Sequence, residues 1–111
     1  MGEFKKVCQV SDLIDNAGIP ALLDTTPIAL FYVKGKVYAL DNFDPIGQAS
    51  VMSRGIVGSI KGQLVVASPL YKEHYDLANG QCLENPEMKL TVFPVQVRGA
   101  TGEEAVWVAQ P

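Results

Sequence analysis

The sequence is poor in the side chains that build metal and redox sites. Its 111 residues include one histidine, His74, and two cysteines, Cys8 and Cys82. Structural zinc usually takes four Cys or His ligands, and small disulfide-stapled domains are dense in cysteine. We therefore predict that the chain has no metal site, no disulfide framework and no catalytic residues of its own.

Positive charge and long apolar runs are also scarce. Nine Lys and Arg residues face twelve Asp and Glu residues, for a net charge of -3, and such a chain cannot displace the counterions of a phosphate backbone. The longest uncharged apolar stretches, residues 25–33 and 62–71, are about half of the ~20 residues of a membrane-spanning helix. Residues 1–6 lack the apolar run of a secretion signal. These absences predict a cytoplasmic protein without nucleic-acid or membrane partners.

The chain does have enough apolar residues to form a core. Hydrophobic residues make up 48% of it and charged residues 19%, which is ordinary for a globular protein. A length of 111 residues is close to the commonest domain size. We predict a single domain over residues 1–111.

Short runs of Val, Ile, Tyr, Phe and Thr, bounded by Gly, Pro, Asn and Asp, predict an all-β chain. Lys34-Gly35 and Lys61-Gly62 are expected to form tight hairpin turns, and both faces of the strand at 28–33 are apolar, which favours a position between two layers. The pattern indicates a small antiparallel β-sandwich or barrel with one helical turn at 11–14. The predicted strands cover residues 3–10, 20–24, 28–33, 36–40, 56–60, 64–67, 75–77, 92–98 and 106–109.

Two irregular segments carry the most information. Each follows a predicted hairpin and places a proline beside a polar residue: Asp44-Pro45-Ile46 in the first, and Ser68-Pro69-Leu70-Tyr71 in the second. The second continues as Tyr75-Asp76-Leu77 and reaches an Asn-Gly turn. This arrangement resembles the Rieske iron–sulfur fold, in which the two loops hold Cys-X-His and Cys-X-X-His ligands. The resemblance implies that residues of about 42–55 and 67–76 correspond to the cluster-binding loops.

The ligand positions of this scaffold are all substituted. Asp44 and Ser68 stand where the resemblance places cysteines, and Ile46 and Tyr71 where it places histidines. A Rieske cluster needs two thiolates and two imidazoles, whereas Ile46 has no donor atom and the other three offer hard oxygen. We predict no cluster and no other cofactor on this chain.

The residues at the ligand positions also have possible structural roles. We expect Asp44 and Ser68 either to accept hydrogen bonds from backbone N–H groups of their own loops or to contact a partner. Ile46 and Tyr71 are expected to fill the space of the missing cluster. Cys8 and Cys82 are expected to be small core side chains, and a thiol switch between them is a weaker alternative.

A ligandless Rieske-like domain of this size is similar to one family, the small subunits of cytoplasmic, assimilatory NAD(P)H-dependent nitrite reductase. The resemblance lies in residues 41–45, 53–58 and 65–74. It implies a non-catalytic subunit, inactive alone, that docks on the large catalytic subunit of an enzyme reducing nitrite to ammonia and stabilises or positions it. FAD, an iron–sulfur cluster and sirohaem are expected on that large subunit.

The face that would meet the large subunit is open at this stage. Arg54, Lys72 and His74 are the docking candidates, because polar loop residues on a rigid scaffold often mediate recognition, although they are equally compatible with ordinary solvated residues. Two other functions remain as alternatives: a Rieske-type ferredoxin that carries electrons, and an interaction module for another oxidoreductase.

Overall fold

The protein is described here from a computed structural model that covers residues 3–70 and 72–111. Twelve strands and two short 3-10 turns make up its regular structure, as the alternation of β-formers predicts. The turns are Val10–Asp12 and Met52–Arg54. The strands are β1 (Lys5–Gln9), β2 (Ala17–Leu23), β3 (Thr26–Val33), β4 (Lys36–Asp41), β5 (Phe43–Asp44), β6 (Ala49–Ser50), β7 (Ile56–Ile60), β8 (Gln63–Ala67), β9 (His74–Asp76), β10 (Val92–Phe93), β11 (Val95–Arg98) and β12 (Ala105–Val108).

The strands form four antiparallel sheets. We call β10-β4-β3-β2 the central sheet, β1-β12-β11 the terminal sheet and β7-β8-β9 the distal sheet, while β5 and β6 pair alone. The predicted turns at Lys34-Gly35 and Lys61-Gly62 are confirmed, since they connect β3 to β4 and β7 to β8. The all-β prediction is confirmed among the described residues.

The central sheet lies between two apolar cores, because β3 is apolar on both faces. Ala29 and Phe31 pack in an inner core, with Met52, Val66 and Tyr75 from the loops and the distal sheet. Ile28 and Leu30, which alternate with them, pack in an outer core with residues of the terminal sheet. The predicted position of this strand between two layers is therefore confirmed.

The predicted strand 92–98 is wrong as a single element. It is divided into β10, which pairs with β4, and β11, which pairs with β12 in a different sheet. Pro94 stands at the break, and a proline has no N–H with which to continue a ladder. The first hairpin strand also begins earlier than predicted, at Ala17, since Pro20 is tolerated in an edge strand. The single helical turn lies at Val10–Asp12 rather than at 11–14.

The Asn79-Gly80 turn gives a test of backbone packing. Gly80 has a positive φ of 79°, and a Cβ there would overlap the carbonyl oxygen of Leu90, whereas Gly35 has φ of 77° and no atom near its virtual Cβ. Gly35→Ala should lose about 1–2 kcal/mol from left-handed strain alone. Gly80→Ala should lose about 1–3 kcal/mol more, the usual cost of overpacking. Urea unfolding of both variants measures the difference, and equal losses would show that the Leu90 contact is unimportant.

Candidate functional site

The two loops that the resemblance assigns to cluster binding meet where Ser68 bonds to Asp44, and we call this region the tip. The first loop contains β5, β6 and the connection between them, and the second runs from Ser68 to His74. The side chain of Leu70 lies directly over Gly47, where any Cβ would collide with it. A Cβ at position 47 would therefore require the Leu70 side chain to move.

Asp44 is completely buried inside the tip. Its Oδ1 accepts hydrogen bonds from the backbone N–H groups of Ile46, at 2.9 Å, and Gly47, at 3.1 Å. These are the backbone contacts expected of an aspartate in a tight loop. Its other oxygen, Oδ2, accepts a hydrogen bond from the hydroxyl of Ser68, so both carboxylate oxygens are engaged.

Ser68, also buried, connects both loops. Its hydroxyl donates to Asp44 and accepts from the N–H of Leu70 at 3.2 Å, and its N–H donates to the carbonyl of Glu73 at 2.9 Å. We call the contact between Asp44 and Ser68 the clasp. Sequence reasoning placed the two residues correctly in separate loops but missed that they bond to each other, since nothing local to either loop indicates it.

Ile46 and Tyr71 occupy the other two positions that the resemblance assigns to ligands, and their surroundings are less well described. Ile46 is half-buried, and Tyr71 lies outside the described residues. That these side chains fill the space of a cluster stays a prediction.

The three docking candidates lie at one end of the distal sheet. Register places Ile56, Ala67 and His74 side by side in β7, β8 and β9. Arg54 precedes Ile56 by two positions, and the N–H of Lys72 donates to the Ser68 carbonyl at 3.1 Å. The fold therefore gathers Arg54, Lys72 and His74 around the end of β8, with Arg54 and Lys72 exposed.

His74 is not a free side chain. The carboxylate of Glu84 accepts a hydrogen bond from its backbone N–H at 2.8 Å and lies 2.6 Å from its Nδ1. Partial burial acts to raise the pKa of Glu84, but these bonds from His74 outweigh it and lower that pKa below its usual value. Sequence reasoning missed Glu84, which follows a turn ten positions away.

A buried hydroxyl lies beneath the tip. Tyr75 is fully buried, and its hydroxyl has no hydrogen-bond partner among the described residues. Burial, and then the negative charge of Asp44, raise the pKa of this phenol. Tyr75 is therefore neutral at any ordinary pH, as a core aromatic should be.

The two cysteines occupy different cores. Cys82 is buried in the inner core, Cys8 packs partly buried against the outer core, and both are free. Burial, followed by the charge of Asp12, raises the pKa of the Cys8 thiol and so makes it less reactive. These positions agree with small core side chains and not with a thiol pair.

Residues 3–70 and 72–111 contain neither a candidate metal site nor a candidate membrane-spanning helix. No three His, Cys, Asp or Glu side chains there are grouped so that they could hold a metal ion, and no helix there has the length and apolarity to cross a membrane.

Comparison with known proteins first gives the class. The chain matches the Rieske-like [2Fe-2S] domain family over residues 3–109, in agreement with its layered sheets and paired loops. It is a Rieske-like domain.

The relatives then narrow the class. The nitrite reductase (NADH) small subunit of Escherichia coli K12 is 34% identical over 100 residues, which cover 88% of this chain and 93% of that protein. A Mycobacterium tuberculosis crystal structure, assigned as an NADH-dependent nitrite reductase small subunit, is 37% identical with a TM-score of 0.90, covering 100% of this chain and 97% of that one. The chain belongs to the family of NAD(P)H-dependent nitrite reductase small subunits.

A third relative is a much longer protein. The NAD(P)H nitrite reductase large subunit of Klebsiella oxytoca is 37% identical over 105 residues, which cover 95% of this chain and 11% of that protein. A domain similar to this chain thus forms part of a polypeptide described as a large subunit.

The donor set of the tip does not fit the cluster after which the Rieske-like family is named. A [2Fe-2S] centre of this type requires thiolate and imidazole ligands. Both carboxylate oxygens of Asp44 already accept hydrogen bonds, and the Ser68 hydroxyl donates one of them. The side chain of Ile46 has no atom that could bind a metal. The thiols of Cys8 and Cys82 lie in the two cores.

A double-mutant cycle tests the clasp. Asp44→Ala and Ser68→Ala should each destabilise the protein, because each leaves a buried partner unpaired. The double variant should lose less than the sum, with a coupling energy of about 1–3 kcal/mol. Urea unfolding supplies the values. Ser59→Ala, an exposed serine of β7, is the control and should change stability by less than about 0.5 kcal/mol. Additive losses at positions 44 and 68 would contradict the clasp.

The pair of Glu84 and His74 gives a test in pH. Because the folded protein lowers the pKa of Glu84, the unfolded chain binds this proton at a higher pH, and the stabilisation is lost as pH falls through the acid range. Glu84→Gln should therefore reduce stability near neutral pH, and the gap from wild type should close as the pH is lowered below the usual range for a glutamate. The effect should be small, because about half of the Glu84 side chain is exposed. A gap that is constant with pH would refute it.

Proposed function

We propose that the chain is the non-catalytic small subunit of an NAD(P)H-dependent nitrite reductase that reduces nitrite to ammonia during cytoplasmic nitrogen assimilation. In this proposal the chain docks on the large catalytic subunit and stabilises or positions its redox domains. FAD, the iron–sulfur cluster and sirohaem would reside on the large subunit, and the isolated chain would be inactive.

The observation that carries the proposal is family membership combined with a tip that lacks cluster ligands. Relatives at near-full length are described as nitrite reductase small subunits. Without a thiolate or imidazole at the ligand positions, the chain has no means of holding the electrons that a Rieske centre would carry. A role through binding is what remains for a domain of this kind.

The Klebsiella oxytoca relative supports contact with the catalytic chain. A domain similar to this one occurs within a protein described there as a large subunit. Where the domain is a separate polypeptide, a non-covalent interface would replace that covalent connection.

The tip is the surface we assign to docking. The clasp holds the two loops together, so that they can present a fixed shape and avoid the entropy cost of ordering loops on binding. Arg54 and Lys72 are exposed beside it, and Leu70 is 46% exposed above Gly47. An apolar side chain with polar groups around it is the usual composition of a binding patch.

Charge reversal tests the docking face. Arg54→Glu combined with Lys72→Glu should weaken capture by a tagged large subunit at least tenfold, about 1.4 kcal/mol, and should lower the stimulation of its NAD(P)H-dependent nitrite reduction. The control combines Lys34→Glu with Lys89→Glu, two exposed lysines away from the tip. It changes the net charge by the same amount, and this variant should bind the large subunit as wild type does. The proposal fails if nitrite reduction by the large subunit is unaffected by adding or removing the chain.

The iron and sulfide content of the isolated protein distinguishes the ferredoxin alternative from the proposed binding role. A Rieske-type electron carrier contains two irons and two inorganic sulfides per chain and absorbs visible light. Iron and sulfide in stoichiometric amounts in freshly isolated protein would favour that alternative, whereas their absence agrees with a subunit that acts by binding.

A further inference from the structure

One sheet edge of the molecule is unprotected. Among the described residues, every other edge strand of three or more residues carries a charged side chain or a proline, the usual protections against strand addition. β1 has Lys5, β2 has Pro20, β9 has Asp76 and β11 has Arg98. β7, the edge of the distal sheet, reads Ile-Val-Gly-Ser-Ile and has neither.

The backbone of β7 has free hydrogen-bonding groups. The two-residue turn at Lys61-Gly62 makes Ile60, Gly58 and Ile56 the residues that bond to β8. Val57 and Ser59 then direct their N–H and C=O groups away from β8. No backbone or side-chain group among the described residues bonds to them.

The strand is complementary to itself. In an antiparallel pair of two β7 strands centred on Gly58, Val57 of each copy faces Ser59 of the other, and these are the residues whose backbone groups are free. Gly58 then faces Gly58 as a close, non-hydrogen-bonded pair, about 4.5 Å between Cα atoms. Ile56, which is 74% exposed, is covered by Ile60 of the other copy.

The charges next to β7 permit this pairing. Lys61 of one copy would lie opposite Gly55 of the other, and Arg54 opposite Gly62. No like charges are brought face to face, which would otherwise destabilise the pair.

We propose that β7 binds a second copy of this chain, joining two distal sheets into one continuous six-stranded sheet about a two-fold axis at Gly58. The surface includes Arg54, which would lie opposite Gly62 of the other copy, but it does not include Leu70 or Lys72. A pair could therefore present those residues of both tips to two large subunits. Strands of five residues form a small contact, and small contacts are weak, so the association should depend on concentration.

Gly58 offers a sharp test, since a Cβ there meets no atom within 4 Å. Sedimentation velocity of the full chain from about 10 μM to about 1 mM should show a shift from monomer to dimer. Gly58→Lys should raise the dimer Kd at least tenfold, because it sets two lysines opposite each other at the axis. Mixing Gly58→Lys with Gly58→Glu should restore association. Leu22→Lys, at an exposed apolar residue of β2, is the control and should associate as wild type does.

Each other result would overturn the proposal. A wild-type chain that is monomeric throughout the range would do so, as would Gly58→Lys associating normally, or a mixture of the two Gly58 variants that stays monomeric. A monomeric wild type whose Gly58→Lys variant loses the large subunit would instead assign the edge to a strand of that partner. Lys72→Glu alone changes the tip without altering a residue of the paired strands, so a loss of large-subunit capture in that variant should leave dimerisation unchanged.

Discussion

The hydrogen bond between Asp44 and Ser68 is the contact on which the tip depends. Two loops that are far apart in sequence converge there, where Leu70 is 46% exposed and Ile46 is half-buried. A buried carboxylate is costly unless its oxygens are bonded. Here the N–H groups of the first loop and the hydroxyl of the second loop supply those bonds together, so the same contact satisfies the charge and joins the loops.

This contact joins the two loops without a metal. In a Rieske domain, ligands from both loops bind one metal cluster, which connects them. In this chain an aspartate of one loop and a serine of the other make a direct connection. The inner core beneath, with Tyr75 and Met52, supports both loops from below. A tip whose loops are joined in this way is consistent with the proposed part in binding.

The distal sheet contributes to both of the surfaces that we assign to binding. Its one end carries Arg54, Lys72 and the pair of His74 and Glu84, and its outer edge is β7. The two surfaces differ in chemistry. The end of the sheet presents charged side chains, whereas the β7 edge is uncharged and presents backbone N–H and C=O groups. Two surfaces with such different properties suit two different partners.

The sequence alone determined the all-β class and the two layers around β3, because alternating apolar residues and Gly-containing turns are local properties. It could not place Pro94 at a switch between two sheets, since β-propensity is similar on both sides of it. Only the tertiary structure showed that Asp44 bonds to Ser68, that Glu84 bonds to His74, and that β7 is an edge. Each of these depends on which distant segments are neighbours, and residues separated by ten to twenty-four positions meet only after the sheets have packed.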